Sequence, residues 1–162
     1  LPISAVFDPG IAKARYEGKA KCLEAIKQLI DESDHKYALI ACSHHDASNK
    51  ITKKILRAYQ ALGFRSDLRE YVSGSYYGII DGDSITEESE MSGHISTSGS
   101  LSDGAEYEVF SSSEHDGGSS SIVIDGVEYS LGIRGIALLV YDLTEHKVVD
   151  SGSYILRRVP QP

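Results

Sequence analysis

The sequence predicts a single α/β domain of α+β-like character, with a mixed β-sheet, two helices packed on it and β-hairpins beside it. Three observations carry that expectation. Two unbroken apolar runs, Tyr37–Cys42 and Ile136–Tyr141, are short enough for strands covered on both faces. Two segments repeat apolar residues at three- and four-residue steps, the period of an amphipathic helix. A third segment, Ile122-Val123-Ile124 then Asp125-Gly126 then Val127-Glu128-Tyr129, reads as a hairpin, because Asp-Gly supplies the positive φ angles of a type I′ turn.

In chain order, Ile3 to Phe7 reads as a short strand closed by the turn cluster Asp8-Pro9-Gly10. Leu23, Ile26, Leu29 and Ile30 then mark a helix expected from about Glu17 to Glu32. After the strand at Tyr37, residues Ile51, Ile55, Tyr59 and Leu62 share one face of a second helix, with Ser48 as its cap and Gly63 as its stop. Tyr76 to Ile80 is a further strand. From Asp81 to Gly104 the pattern turns polar, rich in serine and glycine, with weak alternation through Met91, Ile95 and Leu101; two irregular edge strands fit it better than a mobile linker. Past the hairpin, Asp142 to Lys147 turns the chain and Val148-Val149 begins an antiparallel partner for Ile136–Tyr141. No internal repeat is present.

Composition narrows the function without naming it. The chain has 162 residues, 41% of them hydrophobic, which suits one domain with a buried core. Sixteen basic residues against 24 acidic ones give a net charge of −8, the opposite of a nucleic-acid footprint. No apolar stretch approaches the roughly 18 residues of a membrane helix. The chain begins Leu1-Pro2 and shows no charged-then-apolar leader, so a processed chain or a piece of a larger protein is expected. Cys22 and Cys42 both have apolar neighbours; buried thiols are the simpler reading and a helix-to-strand disulfide the other.

One part of the sequence carries a family likeness. The segment Ser120-Ser121-Ile122-Val123-Ile124-Asp125-Gly126-Val127-Glu128-Tyr129-Ser130 is followed by Arg134-Gly135-Ile136-Ala137-Leu138-Leu139-Val140-Tyr141-Asp142 and Lys147-Val148-Val149-Asp150-Ser151. This resembles the interleukin-like EMT inducer (ILEI/PANDER) domain, with its hairpin, Arg-Gly-hydrophobic strand, turn and return strand. The family continues with Phe-Asp, a helix, a buried strand ending in a polar loop, a helix closed by Leu-Gly, and a Ser-Tyr strand. Here those pieces are Phe7-Asp8, the first helix, Tyr37 to Asp46, Ile51 to Leu62-Gly63, and Ser75-Tyr76. They stand at the front of the chain rather than after the hairpin. The resemblance therefore implies a circularly permuted domain: 1–80 as the family's C-terminal part, 81–104 as a connecting hairpin or linker, 105–162 as its N-terminal part. A join between two consecutive repeats is the alternative, although only one copy of each half is present.

The resemblance implies a non-catalytic recognition domain, either carbohydrate-binding and part of a larger bacterial or viral surface protein, or a protein-interaction or secreted signalling domain. Family members include a sugar-binding stem that holds its ligand by an arginine before the Gly-hydrophobic strand, an acid after the buried strand and a second arginine before the last strand. Carried over, the first falls on Arg134. The acid falls on His45, with Asp46 beside it, and the second arginine falls near Ser73, where this chain departs from the pattern unless Arg69 or Arg65 takes its place. An extracellular or surface location, no cofactor, and a glycan or protein partner are what the same resemblance implies.

The residues themselves point to a few candidate sites. Ser43-His44-His45-Asp46 is the densest polar cluster and follows a buried strand, where open α/β sheets place ligands. It reads as a sugar-binding loop, as a metal loop needing a third ligand from elsewhere, or as a solvated loop with Asp46 or Ser48 capping the helix. Arg134 beside Gly135 can fork onto a hydroxyl pair or a carboxylate, or onto one of the chain's own acids. Tyr76 is the chosen aromatic platform among Tyr71, Tyr76, Tyr77, Tyr107 and Tyr129, all of which also read as half-buried sheet residues. Ser119-Ser120-Ser121 after Gly117-Gly118 reads as a flexible lead into the hairpin rather than an anion nest, and Glu87-Glu88-Ser89-Glu90 as a solvated edge rather than a calcium site. No Gly-x-Ser-x-Gly elbow, phosphate loop or dinucleotide fingerprint is present, so no enzyme is expected.

Overall fold

A computed structural model of the chain describes residues 4–6, 8–44, 51–70, 74–113, 116–129 and 135–153. It has three layers: helices, a six-stranded sheet and a four-stranded sheet. The strands are β1 (Ser4–Val6), β2 (Tyr37–His44), β3 (Ser75–Asp81), β4 (Ser84–Glu90), β5 (His94–Ser100), β6 (Glu106–Ser112), β7 (Ser120–Ile124), β8 (Val127–Glu128), β9 (Gly135–Asp142) and β10 (Lys147–Ser153). The helices are α1 (Pro9–Glu17), α2 (Lys19–Glu32) and α3 (Lys53–Ala61). The large sheet runs β1-β10-β9-β2-β3-β4 and the small one β5-β6-β7-β8. Every pairing among the described strands is antiparallel.

The two apolar runs are the middle of this structure. Because side chains alternate along a strand, Leu39 and Ala41 of β2 and Ile136, Leu138 and Val140 of β9 face the helices. Ala38, Ile40 and Cys42 with Ala137, Leu139 and Tyr141 face the small sheet. The expected class stands, with helices on one side of the sheet. The second sheet on the other side is the addition, and it explains why both runs are apolar at every step. Cys22 belongs to the helix-side core and Cys42 to the inter-sheet core, so the two thiols lie on opposite sides of the large sheet and do not bridge each other.

Several local expectations change for identifiable reasons. Asp8-Pro9-Gly10 starts a helix rather than a turn. The Asp8 carboxylate accepts from the Gly10 and Ile11 amides at 2.9 and 3.2 Å, and Pro9 occupies the first helical position, where its missing N–H costs nothing. The helical region therefore begins at Pro9 instead of Glu17, and Gly18, at φ +135°, breaks it into α1 and α2. The cap of α3 is Thr52, whose hydroxyl accepts from the Ile55 amide at 3.2 Å; Ser48 lies outside the described residues. Gly63, at φ +119°, ends that helix as expected. The hairpin turn is also as expected, with Asp125 and Gly126 at φ 47° and 82°.

The polar segment 81–104 forms two regular strands that do not pair with each other. β4 pairs with β3 at one edge of the large sheet, and β5 pairs with β6 at one edge of the small one. Each has a single covered side, which leaves Ile85 and Glu87 of β4, and Ile95 and Thr97 of β5, half-buried. Helix α1 is tied to the sheet by an ion pair, Arg15 Nη2 to Asp150 Oδ2 at 2.7 Å, with both side chains buried.

A candidate ligand site at one end of the sandwich

Five strands meet the same end of the two-sheet sandwich. His44 closes β2, Gly135 opens β9 and the two are register partners. On the other side of β2, Cys42 pairs with Tyr77, which brings the start of β3 to the same end. The small sheet contributes the last residues of β6 and the first of β7, where Ser111 pairs with Ser120. Gly135 has a φ of +135°, a conformation that side-chain-bearing residues rarely adopt.

Hydroxyl groups knit this end together. Ser43 Oγ lies 2.9 Å from Ser111 Oγ, Ser111 Oγ donates to the Ser43 carbonyl at 2.7 Å, and the Tyr76 amide donates to Ser111 Oγ at 3.2 Å. Ser43 Oγ also reaches the Gly74 carbonyl at 3.4 Å. Ser43, Ser75, Ser111, Ser112 and Ser113 are all buried, which is sustainable because hydroxyls in such a chain both donate and accept. His44 is half-buried, with Nδ1 2.8 Å from Ser120 Oγ, so the imidazole bridges the two sheets at the rim of this network. Below it, burial pushes the Cys42 thiol up to about 12, against hydrogen bonds from Ser120 and Ser121 that favour the thiolate.

Of the residues singled out from sequence, His44 sits at this end, as the last residue of β2 rather than in the loop after it. Arg134, His45, Asp46 and Ser73 lie outside the described residues. Gly135, His44 and Gly74, the chain neighbours of Arg134, His45 and Ser73, are described: Gly135 and His44 are paired, and the Gly74 carbonyl meets Ser43 Oγ beside them. Tyr76 is a correction. Its ring is fully buried in the helix-side core, edge-on to Tyr59, and its hydroxyl lies 2.7 Å from Tyr59 Oη and donates to Glu87 Oε1 at 2.6 Å. A ring with no exposed face offers no platform to a sugar. Its inward direction follows from strand parity, since Tyr76 and Ile80 share the helix side. Tyr77 is buried in the inter-sheet core, Tyr107 and Tyr129 are half-buried against it, and Tyr71 is outside the described residues.

The remaining polar motifs have structural work. Glu87 accepts from the Arg65 and Ser66 amides at 2.7 and 3.2 Å, and Glu88 accepts from the Tyr77 hydroxyl at 2.7 Å, so this acidic run braces the loop after α3 and the sheet beneath it. Ser119 donates its amide to Ser112 Oγ at 2.7 Å, anchoring the start of the hairpin. No three His, Cys, Asp or Glu side chains among the described residues converge as a metal site requires. The buried serines around Ser111 are what sequence reasoning missed. The available signal was the run Ser111-Ser112-Ser113 at the end of an otherwise apolar alternation.

Compared with family models, curated proteins and solved structures, the chain matches none of them.

Proposed function

We propose that this chain is a non-catalytic recognition module of ILEI-like fold in permuted order, and that it binds a glycan at the His44 end of the sandwich. The observation that carries this reading is the pairing of His44 with Gly135. Through it, the positions the resemblance assigns to ligand contact become chain neighbours of one small patch: His45 and Asp46 follow His44, Arg134 precedes Gly135, and Ser73 precedes Gly74. A guanidinium, an imidazole, a carboxylate and hydroxyls are the groups that grip a polyhydroxylated ligand by paired hydrogen bonds.

Two further observations support it. Ser4 of β1 pairs with Gly152 of β10, so the two ends of the described chain lie together, as a permuted order requires. Among the described residues, the exposed large hydrophobic ones, Tyr16, Met91 and Val127, stand on α1, on the turn after β4 and on β8, scattered rather than gathered into the apolar patch of a protein interface. The test is a printed glycan array probed with the full folded chain. Retention of a defined saccharide class supports the module; an array that stays blank at high protein concentration overturns glycan binding at the His44 end and leaves a protein partner as the reading there.

A further inference from the structure

The outer face of the small sheet carries a groove of about 450 Å³ that the His44 end does not use. Strand parity decides what lines it. Val109, Ile122 and Ile124 point into the inter-sheet core, so their neighbours in sequence point out. Register then sets the outward residues in two cross-strand rows, Ser96–Phe110–Ser121 and Ser98–Glu108–Val123. Neither pairing shows a bulge or register shift, so the rows run straight across three strands.

Phe110 is the unusual member. It is half-buried, belongs to neither core, and leans against the His94 ring at a centroid distance of 5.5 Å. Its two row partners are hydroxyls, Ser96 on one side and Ser121 on the other. An aromatic ring flanked by hydroxyls matches one ligand chemistry well: a pyranose, whose C–H face stacks on the ring while its edge hydroxyls exchange hydrogen bonds on both sides. Glu108, in the next row, adds an acceptor for a ligand hydroxyl. Among the described residues, the groove lining holds this one acid and no cation, in a chain of net charge −8, so it is complementary to a neutral saccharide and repels uronates and sulfated chains.

We propose that this groove binds a neutral, extended saccharide chain, with Phe110 as the floor beneath one sugar. The straight rows favour a flat, extended chain over a coiled one. A single ring in an open groove sets a weak affinity, with a Kd on the order of 1 mM. The proposal does not rest on the reading of the His44 end, because Phe110, Ser96, Ser98 and Glu108 take no part there.

The experiment is an NMR titration of the labelled full chain with cellohexaose, to about 10 mM, roughly tenfold above that Kd. The amides of Ser96, Ser98, Glu108 and Phe110 should shift. Hexagalacturonate, of the same length but anionic, should leave them in place. Phe110→Ala should weaken the cellohexaose response at least tenfold, and Phe110→Leu, which keeps apolar bulk on the sheet without a ring, should do the same in a folded protein. Three results would each overturn the groove: no shift with cellohexaose, shifts confined to His44 and Gly135, or a response that survives Phe110→Leu unchanged. Equal binding of hexagalacturonate would overturn the assignment to a neutral chain. Failure at the His44 end shows separately, as array ligands that leave the His44 and Gly135 amides unmoved.

Discussion

His44 and Gly135 face each other across β2 and β9 where the one strand ends and the other begins. The His44 ring also reaches over to Ser120 of the small sheet, 2.8 Å away. One residue thus joins two strands of the large sheet to the sheet beneath, at the end where the buried serines gather. The consequences for ligand binding and for stability can be tested residue by residue.

Arg134→Ala is expected to weaken glycan binding at least tenfold, about 1.4 kcal/mol, while leaving the melting temperature within error of wild type. Titration calorimetry with the saccharide retained on the array measures the first, and a thermal melt the second. Unchanged binding by a folded variant removes Arg134 from the site.

The Arg15–Asp150 pair makes a larger demand on the fold. The Arg15 and Asp150 side chains are 7% and 0% exposed, and their 2.7 Å contact ties α1 to β10. Asp150→Ala takes this carboxylate away from a buried guanidinium and should cost about 3–5 kcal/mol. Urea unfolding would read this as a lowered midpoint at constant slope. The double replacement Arg15→Met with Asp150→Leu should recover much of the loss, since a well-packed apolar pair avoids the desolvation of both charges.

At the opposite end of the sandwich, His35 Nδ1 lies 2.7 Å from Asp142 Oδ2. That hydrogen bond, opposed by desolvation and helped by the charges of Asp142, Asp34 and Glu145, raises the imidazole above its ordinary value near 6.5. Burial pushes the Asp142 carboxyl up, but His35 and the Glu145 and Thr144 amides outweigh it and hold the group below its ordinary value. A raised histidine contributes stability that is complete below about pH 6.5 and is lost as the pH climbs through the raised value. A lowered carboxylate contributes above about pH 4 and loses it as the pH falls through the lowered value. The melting temperature of wild type should therefore exceed that of His35→Ala most clearly near pH 5.5, and the gap should narrow by about pH 8.5. A gap that widens with rising pH would contradict this coupling.

Gly78 is required by what lies over it. A Cβ there would stand 2.9 Å from two Phe64 ring carbons and 2.5 Å from the Tyr76 hydroxyl. Phe64 cannot easily yield, because its ring stacks on Tyr59 at 4.4 Å and 4°. Gly78→Ala should destabilise by about 1–3 kcal/mol through overpacking, measured as a lower melting temperature with native secondary structure retained.

Much of this architecture was legible in the sequence because burial leaves periodic marks. β2, β9, α3 and the Asp125-Gly126 hairpin each follow from a pattern with a physical cause. The small sheet was harder to see. β5 is polar, and so is the outward side of β6 apart from Phe110, so the half-buried alternation of Ile95 and Thr97 is the main trace of β5. Asp8-Pro9-Gly10 shows a different ambiguity, since the residues that favour turns are also those that cap helices. At the candidate site, the end of β2 was readable from its polar residues. Tyr76 was not, because an aromatic residue in a strand gives no hint of which side is covered until parity with Ile80 is fixed by the structure.

The central claim, a glycan site at the His44 end, is tested most directly by NMR titration of the labelled full chain with the saccharide the array retains most strongly. Shifts centred on the His44, Gly74 and Gly135 amides, reduced at least tenfold in apparent affinity by Arg134→Ala, are the result expected. A retained saccharide that shifts amides elsewhere and leaves those three in place would contradict it.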